Sequence, residues 1–126
     1  MKLEGAIHDI LDATEFLTIV TMGQQGPHVV ANWGDYLRSL GPDGDTIILP
    51  AGHYQQTEEN LRHNDKIQVM AASRRVQGSH GPGQGCLLSG RGQVICSGPL
   101  ADKAKAKFPW ARGALVIHVE EARTQL

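Results

Sequence analysis

The chain has 126 residues, enough for one domain with a modest core, and 40% of them are hydrophobic and 20% charged, an ordinary balance for a globular protein. Its formal net charge of −1 is spread over interspersed acids and bases, with no basic tail and no Lys/Arg block, so a nucleic-acid partner is not indicated. No apolar run is long enough to span a bilayer, and Glu4 and Asp9 stand where a secretory leader would be apolar; with Cys86 and Cys96 outside any C-x-x-C motif, this predicts a cytoplasmic protein with reduced thiols, one long-range cysteine pair being the alternative.

In chain order, Leu3, Ile7, Ile10 and Leu11 share one helical face, which predicts a short amphipathic helix over Leu3 to Asp12. Glu15 to Met22 is apolar and β-branched, Gly23 to Pro27 carries turn residues, and His28 to Trp33 returns, so the pair predicts an antiparallel hairpin. Tyr36-Leu37 is predicted to extend the sheet, and Pro42-Asp43-Gly44-Asp45 to turn the chain into a strand over Thr46 to Pro50. A short helix over about Thr57 to His63 is followed by a strand over Lys66 to Arg74. Val76 to Gly85 is so rich in Gly and Pro that it predicts a loop, whose glycines either allow close approach of a ligand or partner subunit or simply give flexibility. Cys86 to Cys96 predicts a long strand bulged or bent at Gly90 and Gly92. Pro99 to Lys107 predicts a helix, Ala114 to Glu120 the last strand, and Glu121 to Leu126 a polar tail. The fold class that follows is mostly β: a single domain over 1–126 with a six-stranded antiparallel barrel and two or three short helices, barrel closure being the usual way to remove exposed edges.

The stretch Thr46 to Asn60 carries the clearest chemistry. A strand that runs through a glycine loop into a helix start brings backbone N–H groups and the positive end of the helix dipole to one point, which favours an anion such as a phosphate. Gly52 permits close approach, Thr57 offers a hydroxyl or a helix cap, Gln55 and Gln56 add neutral donors, and Arg74 and Arg75 could add charge. A plain strand-loop-helix connection explains the same residues. Trp33 and Trp110, flanked by Asn32 and Arg112, could wall a pocket with a flat face and one N–H, or be large core residues. The six histidines are scattered without metal-ligand spacing; His53 could bond a phosphate or a ring edge, or be a solvated loop residue. Neither a nucleophile elbow nor a Walker A or dinucleotide fingerprint is present.

Four blocks, G-P-H-V-V-A-N-W, I-I-L-P-A-G-H-Y-Q-Q-T-E-E-N, A-S-R-R-V-Q-G-S-H-G-P-G-Q-G and F-P-W-A-R-G-A-L-V-I-H-V, resemble in order and spacing the small FMN-binding proteins of sulfate-reducing bacteria, within the pyridoxamine 5′-phosphate oxidase-like split-barrel flavoproteins. The resemblance implies a Greek-key split barrel that forms a homodimer with one FMN per subunit near the dimer interface. It implies an FMN phosphate around Gly52, His53, Gln56 and Thr57, with Ser73 and Arg74 close by. It implies a flavin ring against Ala31, Asn32, Trp33, the backbone of Pro50 and Ala51, and Trp110, with Leu126 approaching the ring of the other subunit. The family pattern has Lys where this chain has Gln56 and Gly where it has His53.

Three functions follow as expectations: an FMN-dependent electron carrier working with an unidentified redox partner; a pyridoxamine-phosphate-oxidase-like oxidase or NAD(P)H:flavin oxidoreductase; or a split-barrel binding module for haem or a deazaflavin. The short chain, without an acid/base pair or a substrate domain, favours the first.

Overall fold

The computed structural model describes all residues, Met1–Leu126. In chain order the elements are α1 (Gly5–Ala13), β1 (Phe16–Gly23), β2 (Gly26–Trp33), α2 (Gly34–Leu40), β3 (Thr46–Ala51), α3 (Gln55–His63), β4 (Lys66–Gln77), β5 (Pro82–Ile95), α4 (Pro99–Lys107) and β6 (Gly113–Thr124). The six strands form one antiparallel sheet in the order β2-β1-β4-β5-β6-β3, curled into a half-barrel. β2 and β3 are therefore its two edges, and they face each other across a split bridged by Asn32, whose Nδ2 lies 3.5 Å from the Pro50 carbonyl.

The interior is filled by inward residues of the strands, among them Leu17, Ile19, Leu49, Leu88 and Leu115, and is capped by Ile7, Ile10 and Leu11 of α1. A smaller cluster of Leu40, Ile48, Ala104, Ala114 and Val116 lies outside the barrel wall, where α2 and α4 cover β3 and β6. Both faces of those two strands are thus buried, which accounts for the unbroken apolar runs I-I-L-P-A and A-L-V-I in place of strict alternation. By contrast β1 alternates, with Leu17, Ile19 and Thr21 inward.

Three expectations change. Tyr36-Leu37 does not extend the sheet; it lies in α2, so there are four helices. Gly34 turns the chain there, donating to the Glu15 carbonyl at 2.8 Å, and a Cβ on it would collide with the Thr14 carbonyl; Leu37 and Leu40, three apart, then bury on one helical face. The region Val76 to Gly85 is mostly strand: β4 and β5 continue to Gln77 and Pro82, and only 78–81 turns. Its glycines serve backbone conformation, with φ of 147° at Gly81 and 118° at Gly83. The polar tail is strand as far as Thr124, pairing with Cys86. The predicted bulge near Gly90 is present as a register shift between Ser89 and Gly90. Cys86 and Cys96 are both free thiols, the first buried and the second exposed, so the long-range pair is not formed.

Candidate functional site

The split between β2 and β3 opens into a cavity of about 760 Å³, in the size range of small-molecule sites. Five segments converge on it: the start of β1 (Glu15, Phe16), β2 (His28, Val30 to Trp33), Tyr36 of α2, the chain from Pro50 through the loop to Thr57, and Trp110 after α4. Of the residues singled out in the sequence, Ala31, Asn32, Trp33, Pro50, Gly52, His53, Gln56, Thr57 and Trp110 line this one cavity. Ala51 is fully buried beneath it, its carbonyl accepting from the Arg112 N–H at 2.8 Å. Ser73 and Arg74 do not line it. β1 pairs with β4 only between Thr18–Met70 and Thr21–Ile67, and Ser73 and Arg74 lie past that, where β4 pairs with β5 alone. Leu126, expected at the ring of the other subunit, is held at the β4–β5 hairpin of its own chain by its N–H on Gln84 Oε1 (2.6 Å) and its carbonyl on the Ser79 N–H (3.2 Å).

At one end of the cavity α3 begins. Its preceding residue, Tyr54, adopts a left-handed conformation with φ 66°, and no side chain caps the helix. The first helical bond runs from Glu58 N–H to the Tyr54 carbonyl, so the N–H groups of Gln55, Gln56 and Thr57 have no acceptor within the helix. Thr57 is fully buried, and its Oγ1 is the one buried side-chain polar atom in the molecule without a hydrogen-bond partner. An unpaired buried hydroxyl costs roughly 1–3 kcal/mol, and a hydroxyl facing a ligand anion at the positive end of a helix would recover it. Gln56 is engaged, its Nε2 donating to Asn60 Oδ1 at 2.8 Å, and Asn60 in turn donates to Thr21 Oγ1 at 3.1 Å.

The loop before α3 is clamped from below. Arg112 donates to the His53 carbonyl through Nε (3.0 Å) and Nη2 (2.7 Å), and its Nη1 pairs with Glu58 at 2.9 Å. This fork fixes the loop by geometry that only a guanidinium supplies.

The other end of the cavity is aromatic. Trp33 and Trp110 are 52% and 54% exposed, so neither is a core residue. Trp110 belongs to a cluster with Tyr36 and Phe108, ring centroids 4.7–5.7 Å apart. Tyr54 spans the split, with its hydroxyl 3.4 Å from the Ala31 carbonyl; burial pushes its phenol up to about 12, against a hydrogen bond from Asn32. Phe16, Tyr36 and Tyr54 join this wall without any sequence signal that separates them from core aromatics. Tyr54 is masked further because nothing in G-H-Y marks the tyrosine, instead of the glycine, as the left-handed residue. A hydrophobic slot with an anion cradle at its far end suits a flat ring joined by a chain to a phosphate.

The chain matches the profile of the pyridoxamine 5′-phosphate oxidase family over residues 3–126. An FMN-binding protein of Nitratidesulfovibrio vulgaris strain Miyazaki F is 38% identical over 124 residues, covering 98% of this chain and 99% of that protein. Among solved structures, a variant of HupZ from Group A Streptococcus superposes with a TM-score of 0.77 at 19% identity, covering 98% of this chain and 99% of its own. A putative pyridoxamine 5′-phosphate oxidase from Listeria innocua gives a TM-score of 0.66 at 16% identity and covers 94% of each chain. At these identities the two structures establish the shared fold.

Proposed function

The chain belongs to the pyridoxamine 5′-phosphate oxidase family, and from that premise we propose that it binds FMN in the cavity at the β2–β3 split and serves as an electron-transfer flavoprotein. The observation that carries this is the unpaired, buried Thr57 Oγ1 at the start of α3, in a residue that lines the same cavity as Trp33 and Trp110. The phosphate is assigned to the Thr57 hydroxyl and the free N–H groups of the first turn of α3. The ring is assigned to the slot between Trp33, Trp110 and the Pro50 backbone, with the Asn32 amide at its polar edge. The 38% identical relative is itself named for FMN binding.

FMN, when bound, supplies reversible one- and two-electron redox chemistry. The work of the chain is to hold the phosphate and to exclude water from one face of the ring with Trp110. An electron carrier needs no acid/base pair. Glu15 is the only carboxylate on the cavity wall, which favours the carrier over a substrate-converting oxidase.

The reading includes a homodimer. The outward face of β1, β2 and β4 bears Phe16, Met22, Val29, Ala31, Trp33 and Met70, all exposed. The register sets them side by side: Phe16 against Trp33, Val20 against Val29, Thr18 against both Ala31 and Met70. A contiguous apolar sheet face of this kind calls for a partner, and a second copy placed there would adjoin the cavity, because Phe16, Ala31 and Trp33 belong to both surfaces.

The test is the absorption spectrum of the purified protein, then denaturation and identification of the released chromophore. FMN at one per chain, with no steady turnover of NAD(P)H or pyridoxamine phosphate, supports the carrier. Steady turnover of either substrate would replace it with the oxidoreductase reading. A colourless protein that takes up haem or a deazaflavin and rejects FMN would make it a different binding module.

A further inference from the structure

None of the sixteen residues that line the cavity is Lys or Arg. A phosphate dianion is usually met by a fixed positive charge, so the source of charge in this site is a question of its own. The ionisable groups on the wall are Glu15, His28, Tyr36, His53 and Tyr54. Tyr54, pushed up to about 12 by burial, stays a neutral phenol at every physiological pH. The adjacent guanidinium, Arg112, directs Nε and Nη2 to the His53 carbonyl and Nη1 to Glu58 and the Cys96 sulfur. Arg62 is held by Glu58 and Glu59. On α3 itself, Gln56 is turned to Asn60, and Glu58 is matched by the two arginines.

The two histidines are differently placed. His53 stands in the loop leading into α3, two residues before Gln55. His28 lies on β2 opposite Thr21, the residue that Asn60 of α3 bonds, so the β2 wall brings it toward the same helix. His8, His63 and His118 have ring hydrogen bonds within the chain, whereas the rings of His28 and His53 do not. The only groups on the wall that can become cationic near neutral pH are therefore two imidazoles free to turn toward a ligand.

Resting on the FMN reading, we propose that His28 and His53 supply the positive charge for the phosphate, so that this protein holds FMN in a pH-gated manner. An unperturbed imidazole titrates near pH 6.5 (about) and a phosphate monoester near 6. Imidazolium and dianion coexist best between those values. Without that charge the phosphate is left with neutral donors alone: Thr57 Oγ1 and the α3 N–H groups.

The experiment titrates FMN and riboflavin separately into the apoprotein by flavin fluorescence, from pH 6 to 9. It compares the natural chain with His53→Asn and with the double variant His28→Asn/His53→Asn. Between roughly pH 6.5 and 8.5 the FMN dissociation constant should rise about tenfold, with riboflavin unchanged, the loss of one charge-assisted contact. The double variant should bind FMN weakly at all pH values with a flat profile, and keep riboflavin affinity. Because His53 is an exposed loop residue, the single variant guards against misfolding of the double one and should lose part of the slope. FMN affinity that is flat with pH in the natural chain would overturn the proposal while leaving FMN binding intact. So would a slope that survives in the double variant, or riboflavin weakening in parallel with FMN. Failure of both flavins to bind would sink the FMN reading and this inference together.

Discussion

Gly52 lies so close under the indole of Trp110 that a Cβ at this position would stand 2.8 Å from Cε3 and 2.9 Å from Cζ3. The loop into α3 and the aromatic wall are thereby packed backbone to ring, which sets the depth of the cavity where the start of α3 meets that wall. Gly52→Ala should fold, because Trp110 is half-exposed and can swing outward. The methyl should cost about 1–3 kcal/mol of overpacking, divided between stability and FMN affinity. Thermal unfolding and flavin titration measure the two shares, and the fluorescence of Trp110, isolated by Trp33→Phe, reports the displacement. An unchanged Trp110 spectrum and FMN affinity would mean that the ring does not lie against this wall.

Thr57 makes opposite demands on the empty and the filled cavity. Its Oγ1 is buried and unpaired, so Thr57→Val, which keeps the β-branched shape, should leave the stability of the apoprotein unchanged or raise it by up to about 1 kcal/mol. The same change should weaken FMN binding by roughly 1.5–3 kcal/mol, the worth of a hydrogen bond to a charged group. Ordinary core threonines lose stability on such a change, so a destabilised apoprotein with full FMN affinity would remove Thr57 from the phosphate site.

Much of this was legible in the chain because one local rule governed each piece. Turn residues and β-branched runs marked β1, β2 and β3, and the strand-loop-helix passage through Gly52 is where the cavity opens. What escaped depended on tertiary context. G-D-Y-L-R-S-L is too short for helical periodicity to outweigh its Tyr-Leu pair, and α2 forms because Leu37 and Leu40 find a buried face against β3 and α4. In the β4–β5 hairpin, glycine marks positive φ inside a paired ladder instead of loop, a distinction that composition does not carry. Whether Trp33 and Trp110 are core or wall depends on the end-to-end meeting of β2 and β3, edges of one sheet that share no ladder.

Tyr54 ties the split to alkaline stability. Its phenol is raised by burial from the ordinary value near 10 to about 12, so the unfolded chain releases this proton first. Stability from the buried phenol is therefore fully present below about pH 10 and is lost as pH rises from there through 12. Tyr54→Phe should abolish that part of the alkaline loss, seen as a smaller drop in denaturation midpoint between pH 9.5 and 11 (approximately) than in the natural chain. Equal slopes for the two proteins would show that the phenol is not sequestered.

The proposed dimer can be separated from the cavity because part of the apolar face lies off it. Val29 and Met70 are 59% and 46% exposed, neither lines the cavity, and they lie on opposite sides of β1, beside Val20 and Thr18. In a monomer, Val29→Glu/Met70→Glu would improve the surface; in a dimer it would bury two carboxylates per subunit without partners, at a cost of several kcal/mol. Sedimentation should therefore show a dimer for the natural chain and a folded monomer for the variant. If a second copy also completes the flavin site through Leu126, whose backbone Gln84 and Ser79 hold at the hairpin, then removing Leu126 should weaken FMN binding while the dimer persists. The Val29→Glu/Met70→Glu monomer should show the same weakening. A variant that remains dimeric would place the interface on another face, and full FMN affinity in the monomer would confine the site to one chain.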